Sequence, residues 1–260
     1  MTGELSEPEH RGPGNTGLLT GDWHVHSTFS DDAQSSVAEN LAAASSAGLT
    51  EIRVVDHVRQ STTWVADFLA TVAAASTNAA LRVHTGVEAK ILNARGELDV
   101  PVDLVVGPGG VDAVLIADHQ FPGLDGAWTP DETKAKMAAG LSVADTLDLL
   151  VGATIAAMES VEYGQLAHCF SILPKIGLDE SQLTDQHLAA WASGAANTGT
   201  LVEVNEKWGC PGPRALRAAL DAGAQLVAST DSHRAADVGR YRTVSDILVA
   251  TGTLARSGRS

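Results

Sequence analysis

The chain has 260 residues, enough for one sizeable α/β domain or two small ones. Its 17 basic and 32 acidic residues leave a formal charge of −15, which repels phosphate backbones and anionic lipid and disfavours a general nucleic-acid binder. No stretch approaches ~18 uncharged apolar residues, so no membrane-spanning helix and no membrane partner are expected.

Residues 1–19 carry Glu, Pro, Gly and Asn and no apolar signal segment, and read as a flexible tail ahead of a single domain over 20–260. Short apolar runs then alternate with Ala-rich amphipathic stretches, the pattern of βα units around a parallel sheet. Strands are expected near 21–26, 52–56, 82–88, 113–117, 165–168, 200–204 and 226–230. Helices are expected near 35–47, 61–75, 142–158, 184–197, 212–222 and 244–252. Ser142 and Thr184 stand where N-caps belong, and Gly48, Gly199 and Gly223 where left-handed C′ residues belong. Asn93–Gly96 predicts a hairpin-like excursion after the third strand, and 119–133 a long loop above the sheet. Seven strands alternating with helices imply an α/β barrel with its functional residues at the carboxyl ends of the strands. Cys169 and Cys210 are too few for a disulfide framework, so a reduced, cytoplasmic setting is the default expectation.

Those strand ends carry a distinctive set of side chains. The first ends in His24 and His26 with Asp31 beyond, the second in His57, the third in Glu88 and the fourth in His119. The fifth ends in His168 and the seventh in Asp231 and His233. Residues i and i+2 of a strand point the same way, so His24 with His26, and Asp231 with His233, each form a two-pronged grip. A lone histidine at a strand end is more often a hydrogen-bonded core or surface residue than a ligand. Ligand-type residues at six separate strand ends favour a metal site. Imidazoles mixed with carboxylates suit zinc first, and also manganese or iron. One tetrahedral ion takes about four ligands, so these nine side chains imply two or three divalent metals, with Glu88 and Asp231 as the natural bridges. Asp32 is an alternative to Asp31, and Asp118 or Asp56 an alternative orienting partner for a ligand histidine.

The segments His24-Val-His26-Ser…Asp31, Asp56-His57, Gly86-Val-Glu88, Asp118-His119, Ala167-His168 and Thr230-Asp231-Ser-His233 resemble, in order, the motifs of the polymerase-and-histidinol-phosphatase (PHP) family. The run from Gly86 through Asn93 to Asp99 resembles its histidinol-phosphatase-like branch. The resemblance implies a distorted seven-stranded (β/α)7, TIM-like barrel, a trinuclear metal centre and phosphoesterase activity. By position it assigns His24, His26, Glu88 and Asp231 to one ion, Asp31, His57 and His233 to a second, and Glu88, His119 and His168 to a third. The chain departs from the family at Asp32, Asp118 and Cys169, positions that bear on substrate identity more than on the metal set.

The expected substrate is a small phosphorylated metabolite, with a phosphomonoester cleaved by a metal-activated hydroxide. Arg59, Lys207 and Arg234 are the candidate phosphate-binding cations, Arg234 favoured because it follows His233 directly, with Lys90 and Arg240 behind them. Asp118 is the candidate proton donor to the leaving oxygen. Trp64, Phe121, Trp128 and Trp208 are candidate pocket aromatics, and the loop from Phe121 to Trp128 a candidate lid. Other readings are a phosphodiesterase or exonuclease on nucleotides, a C–N or C–O bond hydrolase, and a metal-binding scaffold without catalysis. A basic groove would favour the nuclease, and the sequence offers no basic run to build one.

Overall fold

The computed structural model describes residues 17–255. In chain order the elements are β1 (Gly21–Val25), α1 (Val37–Ser46), β2 (Glu51–His57), α2 (Val65–Ser76), β3 (Arg82–Lys90) and β4 (Ala113–Ala117). There follow a small hairpin of β5 (Phe121–Pro122) and β6 (Ala127–Trp128), α3 (Pro130–Ala138), α4 (Val143–Glu159), β7 (Gly164–Ala167) and α5 (Ile172–Lys175). The chain continues through α6 (Asp185–Thr198), β8 (Leu201–Asn205), α7 (Pro213–Asp221), β9 (Leu226–Ser229) and α8 (Thr243–Ala250).

Seven parallel strands form one sheet in the order β1-β2-β3-β4-β7-β8-β9. The sheet nearly closes into a barrel, because His26 N donates to Ser232 O at 2.8 Å and Val25 bridges Ser232 in parallel. Buried Asp22 fastens the same seam from below, accepting from Thr230 N, Thr230 Oγ1 and Gly239 N. Strands β1, β4, β7, β8 and β9 are buried along their whole length, as expected where helices cover the outside of a barrel. The barrel is distorted because residues 91–112, between β3 and β4, supply no helix. That connection begins with the excursion expected at Asn93–Gly96, closed by an antiparallel Ile91–Leu98 bridge.

The helix ends follow local chemistry. Ser142 and Thr184 cap α4 and α6 by accepting from Asp145 N and His187 N. Gly48, Gly199 and Gly223 all take positive φ. The segment 119–133 is not the open loop expected. Phe121 pairs with Trp128 in the β5–β6 hairpin, and α3 starts at Pro130 behind a Thr129–Glu132 capping box. Thr-Pro-Asp-Glu carries the signature of a helix start, and the turn residues before it mask it.

Of the expected tail 1–19, residues up to 16, His10 among them, lie outside the described residues, while Leu18 is buried in the main core. Among the described residues no helix is long and apolar enough to cross a membrane.

Candidate metal centre

The register of the sheet decides what meets at the carboxyl mouth of the barrel. Parallel pairing of β2 with β3 sets His57 opposite Glu88. On β1 the register shifts between Asp22 and Val25. This irregularity lets Trp23 pack on Leu201 and Val227 while the very next residue, His24, turns toward Glu203 inside the barrel. Two ligand-type residues sit on strained backbone at strand ends, His168 at φ 31° and Asp231 at φ 53°, as is common where a site dictates side-chain direction.

Glu88 is the hub. Its Oε1 lies 2.9 Å from His168 Nε2 and 3.0 Å from His119 Nε2. Its Oε2 lies 2.9 Å from His57 Nδ1 and 3.4 Å from both His24 Nε2 and His26 Nε2, yet accepts no hydrogen bond. Asp231 Oδ1 stands 3.3 Å from His26 Nε2 and 3.5 Å from His233 Nδ1. Ligand-type atoms converge within 4.8 Å in three overlapping groups: His24, His26 and Asp231; His26, His57 and His233; and His57, Glu88 and His119. Glu88 thus meets His24 and His26 through Oε2 and His119 and His168 through Oε1, and His57 sits with Glu88 and His119 as well as with His233.

The outer partners of the histidines settle what their inner nitrogens present. His24 Nδ1 faces Glu203 Oε2 at 3.0 Å, an acceptor. His26 Nδ1 faces Ser30 Oγ at 3.2 Å, and that hydroxyl already donates to Asp56. His168 Nδ1 faces Ser171 Oγ, whose hydroxyl donates to Asp118. His233 Nδ1 faces the carbonyl of Asp231 at 2.9 Å. Each Nδ1 therefore carries an N–H, and each Nε2 faces inward, where it offers a lone pair to an ion once any proton on it has left. The Nε2 atoms of His24 and His26 stand 3.0 Å apart, and those of His168 and His233 face carboxylates. Lone pairs aimed at one another and at acids repel unless protons or cations lie between them. These residues fit divalent metal ions.

The electrostatics point the same way. Burial opposes charge on Glu88, but His119 and His24 outweigh it and hold the carboxyl well below its usual range. Burial likewise opposes charge on Asp231, and its bond to His26 and the charge of His24 hold it low. Burial drives His26 down to about 3 against the pull of Asp231. His24 is raised well above its ordinary value, because Glu203 and Glu88 outweigh burial.

Of the two adjacent acids left open above, Asp32 is the one whose carboxylate reaches the histidines, 3.2 Å from His233 Nε2 and 3.5 Å from His57 Nε2. Asp31 lies at the rim of the same cavity of about 360 Å³, which Arg59, Lys90, Lys207 and Trp208 also line. Lys207 Nζ stands 3.4 Å from Asp231 Oδ2, which also accepts from Trp208 Nε1. Arg234 falls outside this cavity and pairs with Asp237 at 3.5 Å. Asp118 is buried behind His168, accepting from Ser171 Oγ and Ile172 N, which gives it an orienting place and not one on the cavity wall. Asp56 holds Ser27 and Ser30 and touches no ligand histidine directly.

The expected aromatics divide. Trp208 lines the cavity, Trp64 packs on Phe29 and Phe68, and Phe121 and Trp128 stack on each other in the core, so the lid expected over 121–128 is packed structure. A larger cavity of about 660 Å³ lies on the barrel exterior between α6 and α7, lined by the Arg214–Asp185 pair, without a cluster of ligand-type residues.

The fold has a solved counterpart. It is similar to a histidinol phosphate phosphatase from Lactococcus lactis, determined in complex with zinc, L-histidinol and phosphate. The two chains superpose with a TM-score of 0.57 at 14% identity, covering 89% of this chain and 92% of the other. At that identity the likeness shows the fold alone. No protein-family model matches the sequence, and no curated protein matches it.

Proposed function

We propose that the protein is a metal-dependent phosphoesterase that hydrolyses a small phosphomonoester, with a multinuclear centre of up to three ions. The observation that carries this reading is the convergence of inward-facing imidazole lone pairs on the buried carboxylate of Glu88, beside a cavity lined by cations. The solved phosphatase of the same fold, with its zinc and phosphate, supports it. His24, His26, Asp32, His57, Glu88, His119, His168, Asp231 and His233 would hold the ions. When bound, such ions acidify water and neutralise charge on phosphate oxygens.

The chain's own residues do the rest. Glu203, Ser30, Ser171 and the Asp231 carbonyl orient four imidazoles through Nδ1, so their Nε2 atoms face the cage. Lys207, Arg59 and Lys90 face the cavity and can bind and orient an anionic ester. Lys90 is partly spent on Asp99 at 3.3 Å, which leaves Arg59 and Lys207 as the stronger candidates.

The test is hydrolysis of p-nitrophenyl phosphate and bis(p-nitrophenyl) phosphate by protein loaded with zinc, manganese or iron. Turnover of the monoester, lost on chelation and in Glu88→Gln, is expected. Preference for the diester would move the reading to a phosphodiesterase. No turnover of either ester by fully loaded protein would overturn it.

A further inference from the structure

Beside the cage lies a second cavity of about 410 Å³, lined by Glu206, Lys207, Thr230, Asp231, Ser232, His233, Arg234, Asp237 and Arg240. It adjoins the first, because Lys207, Asp231 and His233 line both. A ligand held at His233 is therefore one side chain away from this neighbouring space.

The charges there are unevenly spent. Glu206 lines the cavity but gives both carboxylate oxygens to the amides of Arg242, Thr243 and Val244 at the start of α8, at 2.8–3.0 Å. Asp237 is taken by Arg234 at 3.5 Å. Lys207 shares Asp231 with the cage. Arg240, exposed at the wall, makes no ion pair among the described residues. Of the three cations lining the space, Lys207 and Arg234 already hold Asp231 and Asp237, and Glu206 is spent on α8, so Arg240 is the one cation there with no ionic partner among the described residues. An arginine fork presents donors in the geometry that carboxylate and phosphate oxygens accept.

The geometry points to a second anionic subsite. Resting on the phosphoesterase reading, we infer that the substrate is a phosphate ester bearing another anionic group, a carboxylate or a second phosphate. The reacting phosphate sits at the cage and the other group beside Arg240 and Arg234. This role differs from the one expected for Arg234 in the sequence, where it stood at the reacting phosphate itself.

The experiment compares kcat/KM for glycerol phosphate, phosphoglycerate and propanediol bisphosphate, using metal-loaded wild type, Arg240→Glu and Arg234→Ala. A preference of at least about tenfold for an ester with the additional anion is expected, the scale of one charge-assisted hydrogen bond. Arg240→Glu should erode that preference by a similar factor, and Arg234→Ala by less, since Asp237 already competes for it. Whether phosphoglycerate or the bisphosphate gains more identifies the group. Equal turnover of all three esters, with variants that change them in parallel, overturns the subsite and leaves the phosphoesterase reading standing. No turnover of any ester overturns both.

Discussion

Glu203 Oε2 stands 3.0 Å from His24 Nδ1, and both side chains are wholly out of solvent. The same carboxylate accepts from Gln165 Nε2 at 2.8 Å, Asn205 Nδ2 at 2.6 Å and His168 N at 3.2 Å. Gln165 in turn accepts from Arg53, whose guanidinium lies 4.7 Å from the Trp23 ring centre. A hydrogen-bonded line thus runs from Arg53 at the barrel's middle to the histidine cage at its mouth. A buried carboxylate survives only with such partners.

Glu203→Gln keeps the volume and removes the charge that fixes His24. Zinc affinity, measured by competition with a chromophoric chelator, should fall about 10- to 100-fold. Unchanged affinity would show that the His24 ring is held by other contacts.

Asp32 and Asp31 are neighbours in sequence with different reach. Asp32→Asn should lower the metal content of purified protein and its affinity, while Asp31→Asn should leave both near wild type, because only Asp32 approaches His57 and His233. Elemental analysis of the two variants decides it, and a larger loss in Asp31→Asn would reverse the assignment.

Protons and metal ions compete for the same nitrogens. In His168 burial opposes the charged form, but Asp118 and Glu88 outweigh it and push the imidazole up to about 10. His24 is likewise raised. Both shifts favour the protonated ring in the ion-free protein, so an ion binding at Nε2 competes with a proton. Zinc binding should release about one or two protons per chain, and affinity should weaken as pH falls. Calorimetric titrations in two buffers of different ionisation enthalpy measure the release; zero release contradicts the picture.

Phe121 tests whether the 121–128 segment is a lid or a support. Its ring is fully buried, 5.6 Å from that of Trp128. Phe121→Ala should cost about 3–5 kcal/mol of stability, read from denaturant unfolding of the metal-free protein, with little change in KM. A large KM effect without loss of stability would restore the lid.

The barrel and most of the cage were legible because each ligand-type residue interrupts an apolar run at its end, where a polar side chain has few other reasons to stand. Glu203 was missed for the opposite reason, lying within the run Leu201-Val-Glu-Val-Asn205. The available signal was a lone carboxylate inside an apolar strand, which demands a buried partner. Arg234 was placed beside the ligands by adjacency to His233, but successive residues of an extended chain point to opposite sides, and its side chain enters the neighbouring cavity. Asp31 and Asp32 lie in a turn, where strand alternation cannot choose between them.

The seam between β1 and β9 has a bearing on when the protein matures. Four of the nine side chains of the cage, His24 and His26 on one side and Asp231 and His233 on the other, come from the two ends of the barrel, joined at the top where His26 meets Ser232 and below through Asp22. A nascent chain that has emerged from the ribosome as far as β8 holds an incomplete claw and a sheet with an open edge. Barrel closure therefore waits for the last strand, and the side chains proposed to hold ions come together only then.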